Sequence, residues 1–168
     1  GTEIRMIRVL ALALLANPAA AGTLEGRLVT FTVMTWDAPA QPVLQARGRT
    51  VTVGAGVEFG LEPEGLTGGL EIVPAQVQIG PARVEVTYPA AGQARFYDAG
   101  FNGYVLRFET DCALFADWKV DPAFTTMAVT DADIFTDRGA LYVNVSGLAY
   151  GPTARLAVDL DVTDCPLS

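Results

Sequence analysis

Apolar and polar side chains alternate with a period of two over most of residues 27–163, and that pattern restricts the chain to strands. The clearest case is 153–163. Ala154, Leu156, Val158, Leu160 and Val162 fall on one face, and Arg155, Ala157, Asp159 and Asp161 on the other. Residues 83–88 repeat the pattern, with Val84, Val86 and Tyr88 inward and Arg83, Glu85 and Thr87 outward. In 27–36, Val29, Phe31 and Val33 alternate with Leu28, Thr30, Thr32 and Met34, which predicts a strand at least partly covered on both faces. Further strands are expected at 43–45, 49–53, 57–59, 70–79, 124–129, 133–136 and 140–145. Pro74 confines 70–79 to an edge or a bulge.

Residues 93–98 and 102–109 are expected to form a hairpin across 99–101, with Gly100 and Gly103 serving its tight turn. In the second arm Tyr104, Leu106 and Phe108 share one face, and Val105, Arg107 and Glu109 the other. Residues 111–121 fit either a single helical turn, from the spacing of Leu114, Phe115 and Trp118, or a loop pinned by apolar anchors. No stretch after residue 21 keeps the helical period for three turns, which excludes βαβ units. About ten short strands with close turn signals predict an all-β fold, a single antiparallel β-sandwich of jelly-roll or Ig-like type.

Residues 1–21 read as upstream residues followed by a signal peptide. Arg5 and Arg8 are positive, 9–16 is an apolar run, Asn17 and Pro18 break a helix, and Ala19, Ala20 and Ala21 form a small-residue cleavage site. The apolar run would span about 12 Å as a helix, far short of a bilayer. One sandwich domain, 22–168, is therefore expected in the periplasm or outside the cell, with no membrane span in the mature chain. The bias to Ala, Gly, Arg and Val over Lys and Asn points to a GC-rich bacterial genome.

Composition excludes several functions. Net charge is −8, and the single lysine, Lys119, belongs to no basic cluster, so the chain repels nucleic acid. Histidine is absent and serine occurs only at Ser146 and Ser168. Ser-His and Cys-His nucleophile pairs are thus impossible, as are the usual catalytic zinc sites.

Cys112 and Cys165 are the only cysteines. In an exported chain an even count predicts a disulfide, which would close a long loop at about 4 kcal/mol of chain entropy. Metal ligation and two free thiols are the alternatives, and two cysteines without histidine make a poor metal site. Acidic residues gather in the second half of the chain. Asp131, Asp133 and Asp137 are the best local candidates for calcium, which takes hard oxygen ligands on loops. The register is not that of an EF-hand, and a solvated acidic surface explains the same residues. Asp159 and Asp161 lie two apart on one strand face, about 6–7 Å, where paired carboxylates would serve glycan hydrolysis. Trp36, Tyr88, Tyr97, Tyr104, Trp118, Tyr142 and Tyr150 would suit either a sugar-stacking platform or the core, with Tyr142 expected outward or at the rim.

The block Gly-Phe-Asn-Gly-Tyr-Val at 100–105 resembles one found in a group of exported proteobacterial β-sandwich proteins. Blocks like those at 133–135, 141–148 and 156–160 follow in the same order. Many members carry a PEP-CTERM sorting tail, whereas this sequence ends Cys-Pro-Leu-Ser. The resemblance implies a sandwich exported without a surface anchor and carries over no catalytic residue. The expected function is non-enzymatic: an envelope or matrix protein that self-associates, or a binding module. A calcium-assisted carbohydrate-binding domain is the alternative, and a carboxylate-dependent glycan hydrolase ranks behind both. A site is expected near Asp98, Asn102, Asp111 and 131–137.

Overall fold

A computed structural model describes residues 22–45, 48–59 and 72–167. The expected signal peptide and the start of the strand expected at 70–79 lie outside the described residues. Thirteen strands are present among them: β1 (Leu28–Trp36), β2 (Pro42–Gln45), β3 (Arg49–Thr52), β4 (Val57–Phe59), β5 (Gln76–Gly80), β6 (Arg83–Thr87), β7 (Ala94–Arg95), β8 (Phe101–Phe108), β9 (Phe115–Val120), β10 (Ile134–Asp137), β11 (Ala140–Asn144), β12 (Ala149–Tyr150) and β13 (Arg155–Val162). One sheet has the order β10-β11-β8-β1-β2, with β3 also on β1, and the other runs β4-β5-β6-β13-β9. A two-stranded ribbon, β7-β12, stands apart from both. Every pairing is antiparallel. The fold is an all-β sandwich.

The alternation explains the layering. Val29 and Phe31 of β1, Leu106 and Phe108 of β8 and Leu141 and Val143 of β11 join Val77, Ile79, Val84, Val86, Leu156 and Val158 of the other sheet in one buried core. Each such side chain contributes roughly 1.5–3 kcal/mol on leaving water. The first sheet buries part of its outer face as well. Trp36, Phe101, Val105, Ala140 and Tyr142 form a second cluster, with Trp36 stacked on Phe101 at 4.2 Å. Tyr142 is thus outward, as its alternation predicts, yet only 9% exposed.

The hairpin expected between 93–98 and 102–109 does not form. β8 pairs with β1 from Val29↔Phe108 to Trp36↔Phe101 and with β11 on its other edge, while β7 pairs with β12. A strand apolar on both faces needs neighbours on both edges, and β1 and β11 supply the β-branched partners that 93–98 lacks. Gly100 and Gly103 accordingly serve close approach rather than a turn. A Cβ on Gly103 would sit 1.9 Å from the Val143 carbonyl oxygen, and one on Gly100 would sit 3.2 Å from that of Asp37.

Residues 111–121 hold a strand, β9, rather than a helical turn or a loop. A register shift between Asp161 and Val162 marks a bulge: Val162 faces Phe115 and Asp161 faces Asp117. The extra residue turns the two-residue period into a three-residue one between the buried Phe115 and the half-buried Trp118, which mimics a helix in the sequence. Residues 124–129 form no strand. They cross the start of β13, where Thr126 donates its N–H to the Arg155 carbonyl at 2.9 Å, and they bury Met127 and Val129. The strand expected at 133–136 begins at Ile134, after a 3-10 turn at Asp131–Asp133, and β5 begins after Pro74.

Cys112 and Cys165 are joined in a disulfide with Cα atoms 5.9 Å apart. It ties the connection between β8 and β9 to the segment after β13. The buried Arg27 guanidinium sits beside it and donates to the carbonyls of Thr23, Cys165 and Pro166. No helix among the described residues is long and apolar enough to cross a membrane.

Two stability measurements test these assignments. The double substitution Cys112→Ala, Cys165→Ala should lower the unfolding free energy by about 4 kcal/mol in urea titrations, and an unchanged midpoint would refute the staple. Gly103→Ala should cost about 1–3 kcal/mol in the same assay, since β8 and β11 would have to part.

Candidate functional site

The ribbon walls a cleft. Behind Tyr88 the chain turns, with the Ala91 N–H donating to the Tyr88 carbonyl at 3.1 Å, and it then reaches β7. The Phe96 N–H donates to the Leu148 carbonyl at 2.9 Å, and Arg95 Nη1 donates to the Gly147 carbonyl at 3.1 Å. Gly147 has a φ of +69°, the left-handed conformation that lets the chain turn into β12. Asn144 and Ser146 hold the opposite side. Asn144 Oδ1 accepts the Asn102 N–H at 3.2 Å, and Ser146 Oγ accepts the Ala99 N–H at 2.7 Å. Asn102 is itself a strut: its Oδ1 accepts from Thr35 Oγ1 at 2.8 Å and its Nδ2 donates to the Tyr97 carbonyl at 2.9 Å.

The resulting cavity of about 500 Å³ lies between the ribbon, the inner face of β1 and β8, and residues 72–74. That is the size of an ordinary small-molecule site. Its walls include Tyr97, Tyr104 and Tyr150, together with Gln93, Arg95 and Thr35. None of its lining residues among those described is acidic. A second, more open cavity of about 510 Å³ shares Gln93, Ala94, Arg95 and Tyr150 and adds Thr126, Met127 and Thr153. The ribbon is therefore a partition between two hollows.

An aromatic floor supports the first cavity. Phe96 and Tyr150 have ring centroids 4.5 Å apart, and Tyr88 meets Phe96 edge-on at 5.9 Å. The hydroxyls of Tyr88 and Tyr104 lie 2.6 Å apart in the interior. Burial pushes the Tyr88 phenol well above its usual range, reinforced by Tyr104, and burial likewise raises the Tyr104 phenol. Both remain neutral across the physiological range.

The acidic residues singled out in the sequence have other work. Asp131 Oδ1 accepts the Val120 N–H at 2.7 Å, and Asp133 Oδ2 accepts the Thr130 N–H at 2.8 Å in a capping box. Asp137 lies at the far end of β10. The three carboxylates do not converge, and no group of three or more Cys, Asp or Glu side chains among the described residues is placed to hold a metal. Capping a turn and ligating calcium both call for carboxylates beside irregular backbone, so the sequence pattern is the same for either.

Asp159 and Asp161 stand on the outer face of the second sheet, and neither lines the cleft. Asp159 accepts from Arg83 Nη1 at 2.8 Å, and Arg83 also holds Asp121 and Glu85. The hydrogen bond from Arg83 and that from the Ala123 backbone keep Asp121 below the usual carboxylate range. Asp98 Oδ1 accepts from Ser146 Oγ at 3.2 Å, and the Asp111 carbonyl accepts from Arg138. Neither carboxylate lines the cleft.

Of the expected aromatics, Tyr97, Tyr104 and Tyr150 reach the cleft. Trp36 and Tyr142 belong to the outer cluster, where Phe135 stacks on Tyr142 at 4.4 Å and is 42% exposed. Trp118 packs at the core margin, with its Nε1 donating to the Ile134 carbonyl. The sequence reading missed Gln93 and Arg95, because two-residue strands leave no periodicity to find. No family model, no curated protein and no solved structure matches the chain.

The tyrosine pair gives a pH signature. Folding stability from phenols whose values are raised by the fold is complete below the ordinary phenol pKa, about 10, and drains away as pH rises toward the folded values. In an absorbance titration at 295 nm, Tyr88 and Tyr104 should ionise only together with alkaline unfolding. Their ionisation in a still-folded chain would overturn the assignment.

Proposed function

We propose that this protein is an exported, non-enzymatic binding module that takes a saccharide or similarly hydroxylated small molecule into the cleft beside the β7–β12 ribbon. The observation that carries the reading is a small-molecule-sized cavity in which tyrosine rings stand beside hydrogen-bonding side chains the protein leaves unused. Neither the Gln93 amide nor the Tyr150 hydroxyl has a protein hydrogen-bond partner among the described residues. Sugars suit such walls, because ring faces pack against their C–H groups while amides and hydroxyls meet their oxygens. The lack of acidic residues among its described walls, with Asp159 and Asp161 on the other sheet, favours binding over hydrolysis. Export is supported by the disulfide, which belongs to an oxidising compartment, and by the resemblance around 100–105.

Melting curves with glucose, galactose, glucuronate and galacturonate at high millimolar concentration test the proposal. A ligand at a hundredfold its Kd should add about 2.7 kcal/mol to stability. Ala94→Trp, which fills the wall shared by both cavities from an exposed position, should leave the unliganded melting point near that of the parent and abolish the shift. No shift with any of the four sugars would refute the reading.

A further inference from the structure

We infer that the cleft selects a carboxylate-bearing sugar, a uronic acid, with Arg95 taking the carboxylate and the Tyr104 hydroxyl donating to a ligand oxygen. The inference rests on the binding role proposed above and narrows it to a chemical class.

The first support is a count of protons. Tyr88 and Tyr104 bring two hydroxyl protons to one hydrogen bond of 2.6 Å, and neither hydroxyl has another partner among the described residues. One O–H is therefore left over. Tyr88 is 0% exposed and does not line the cavity, whereas Tyr104 does. If Tyr104 donated to Tyr88, the spare proton would be sealed inside the core without an acceptor, an expensive arrangement. The favoured order is Tyr88 O–H donating to Tyr104 Oη, with the Tyr104 proton turned to the cavity. The high phenol values of both groups keep that proton in place. The cleft thus presents a donor that requires an acceptor from outside.

The second support is charge. Among the described residues Arg95 is the only cation lining either cavity. Its guanidinium spends one donor, Nη1, on a backbone carbonyl and forms no ion pair with another described residue. In a chain of net charge −8, a cleft with a guanidinium outside any ion pair and no acidic residue among its described walls is a local reversal of sign. Arginine presents a planar fork of donors that matches a carboxylate. That guanidinium, a phenol donor and an unpartnered amide at Gln93 together describe a ligand rich in acceptors that carries one negative charge. A uronic acid has this chemistry, free or within a polymer.

Isothermal titration of the full chain with galacturonate, glucuronate, galactose, glucose and a short oligogalacturonate tests the assignment. At least one uronate should bind ten times more tightly than its neutral counterpart. Arg95→Ala should erase that ratio by weakening the uronate at least ten times more than the neutral sugar, and Arg95→Lys should restore part of it. Both variants alter the Nη1 bond to the Gly147 carbonyl, so the unliganded melting point of each is compared with that of the parent before titration. Tyr104→Phe should weaken acid and neutral sugar alike. If the oligomer alone binds, with the same dependence on Arg95, the source is a polysaccharide and the inference stands. If acid and neutral sugars bind equally, or Arg95→Ala lowers both alike, carboxylate selection is wrong and the saccharide reading survives. If none binds, both fall together.

Discussion

Strand β8 has to satisfy two faces and two edges at once, and the architecture follows from that demand. Its inner row, Tyr104, Leu106 and Phe108, closes the main core, and its outer row, Phe101 and Val105, nucleates the second cluster. Its edges are taken by β1 and β11. Gly103 makes the β11 edge possible, since the Val143 carbonyl lies where a side chain would begin. With both edges of β8 filled, the preceding segment cannot fold back onto it and must pair elsewhere. It finds β12, and the cavity is what remains between that displaced ribbon and the sheet.

The same demand explains what the sequence disclosed and what it hid. Long strands with clean alternation, β1, β6 and β13, lie where the pattern puts them, because one face of each meets a continuous core. The disulfide was legible from parity and compartment alone. The strand at 115–120 was hidden by a bulge, whose extra residue counterfeits the spacing of a helix. The pairing of 93–98 was misjudged because a hairpin is the cheapest local solution, and tertiary burial overrode it. Nothing in residues 124–129 advertises that their apolar side chains cap the core from a turn rather than a strand.

The candidate site was less legible still. Its tyrosines are visible as residues but are indistinguishable in sequence from the tyrosines of the outer cluster. Asn102, marked early as a place to look, does border the cavity, though as a strut whose amide is already engaged. The acidic run near 131–137 suggested a cation, but Asp131 and Asp133 each accept from a backbone amide and Asp137 lies at the far end of β10. Sequence reading sees charge and spacing; it does not see which polar groups the fold has already satisfied.

The β7–β12 ribbon contributes just two registered residue pairs, whereas β1 and β8 share eight. It holds little apolar area of its own beyond Tyr150, so its reserve of local stability is the smallest of any paired element near the cleft. Opening there breaks few bonds and leaves both sheets intact. The partition between the two hollows is thus the least secured boundary of the cleft, and neither sheet of the sandwich depends on its two pairs.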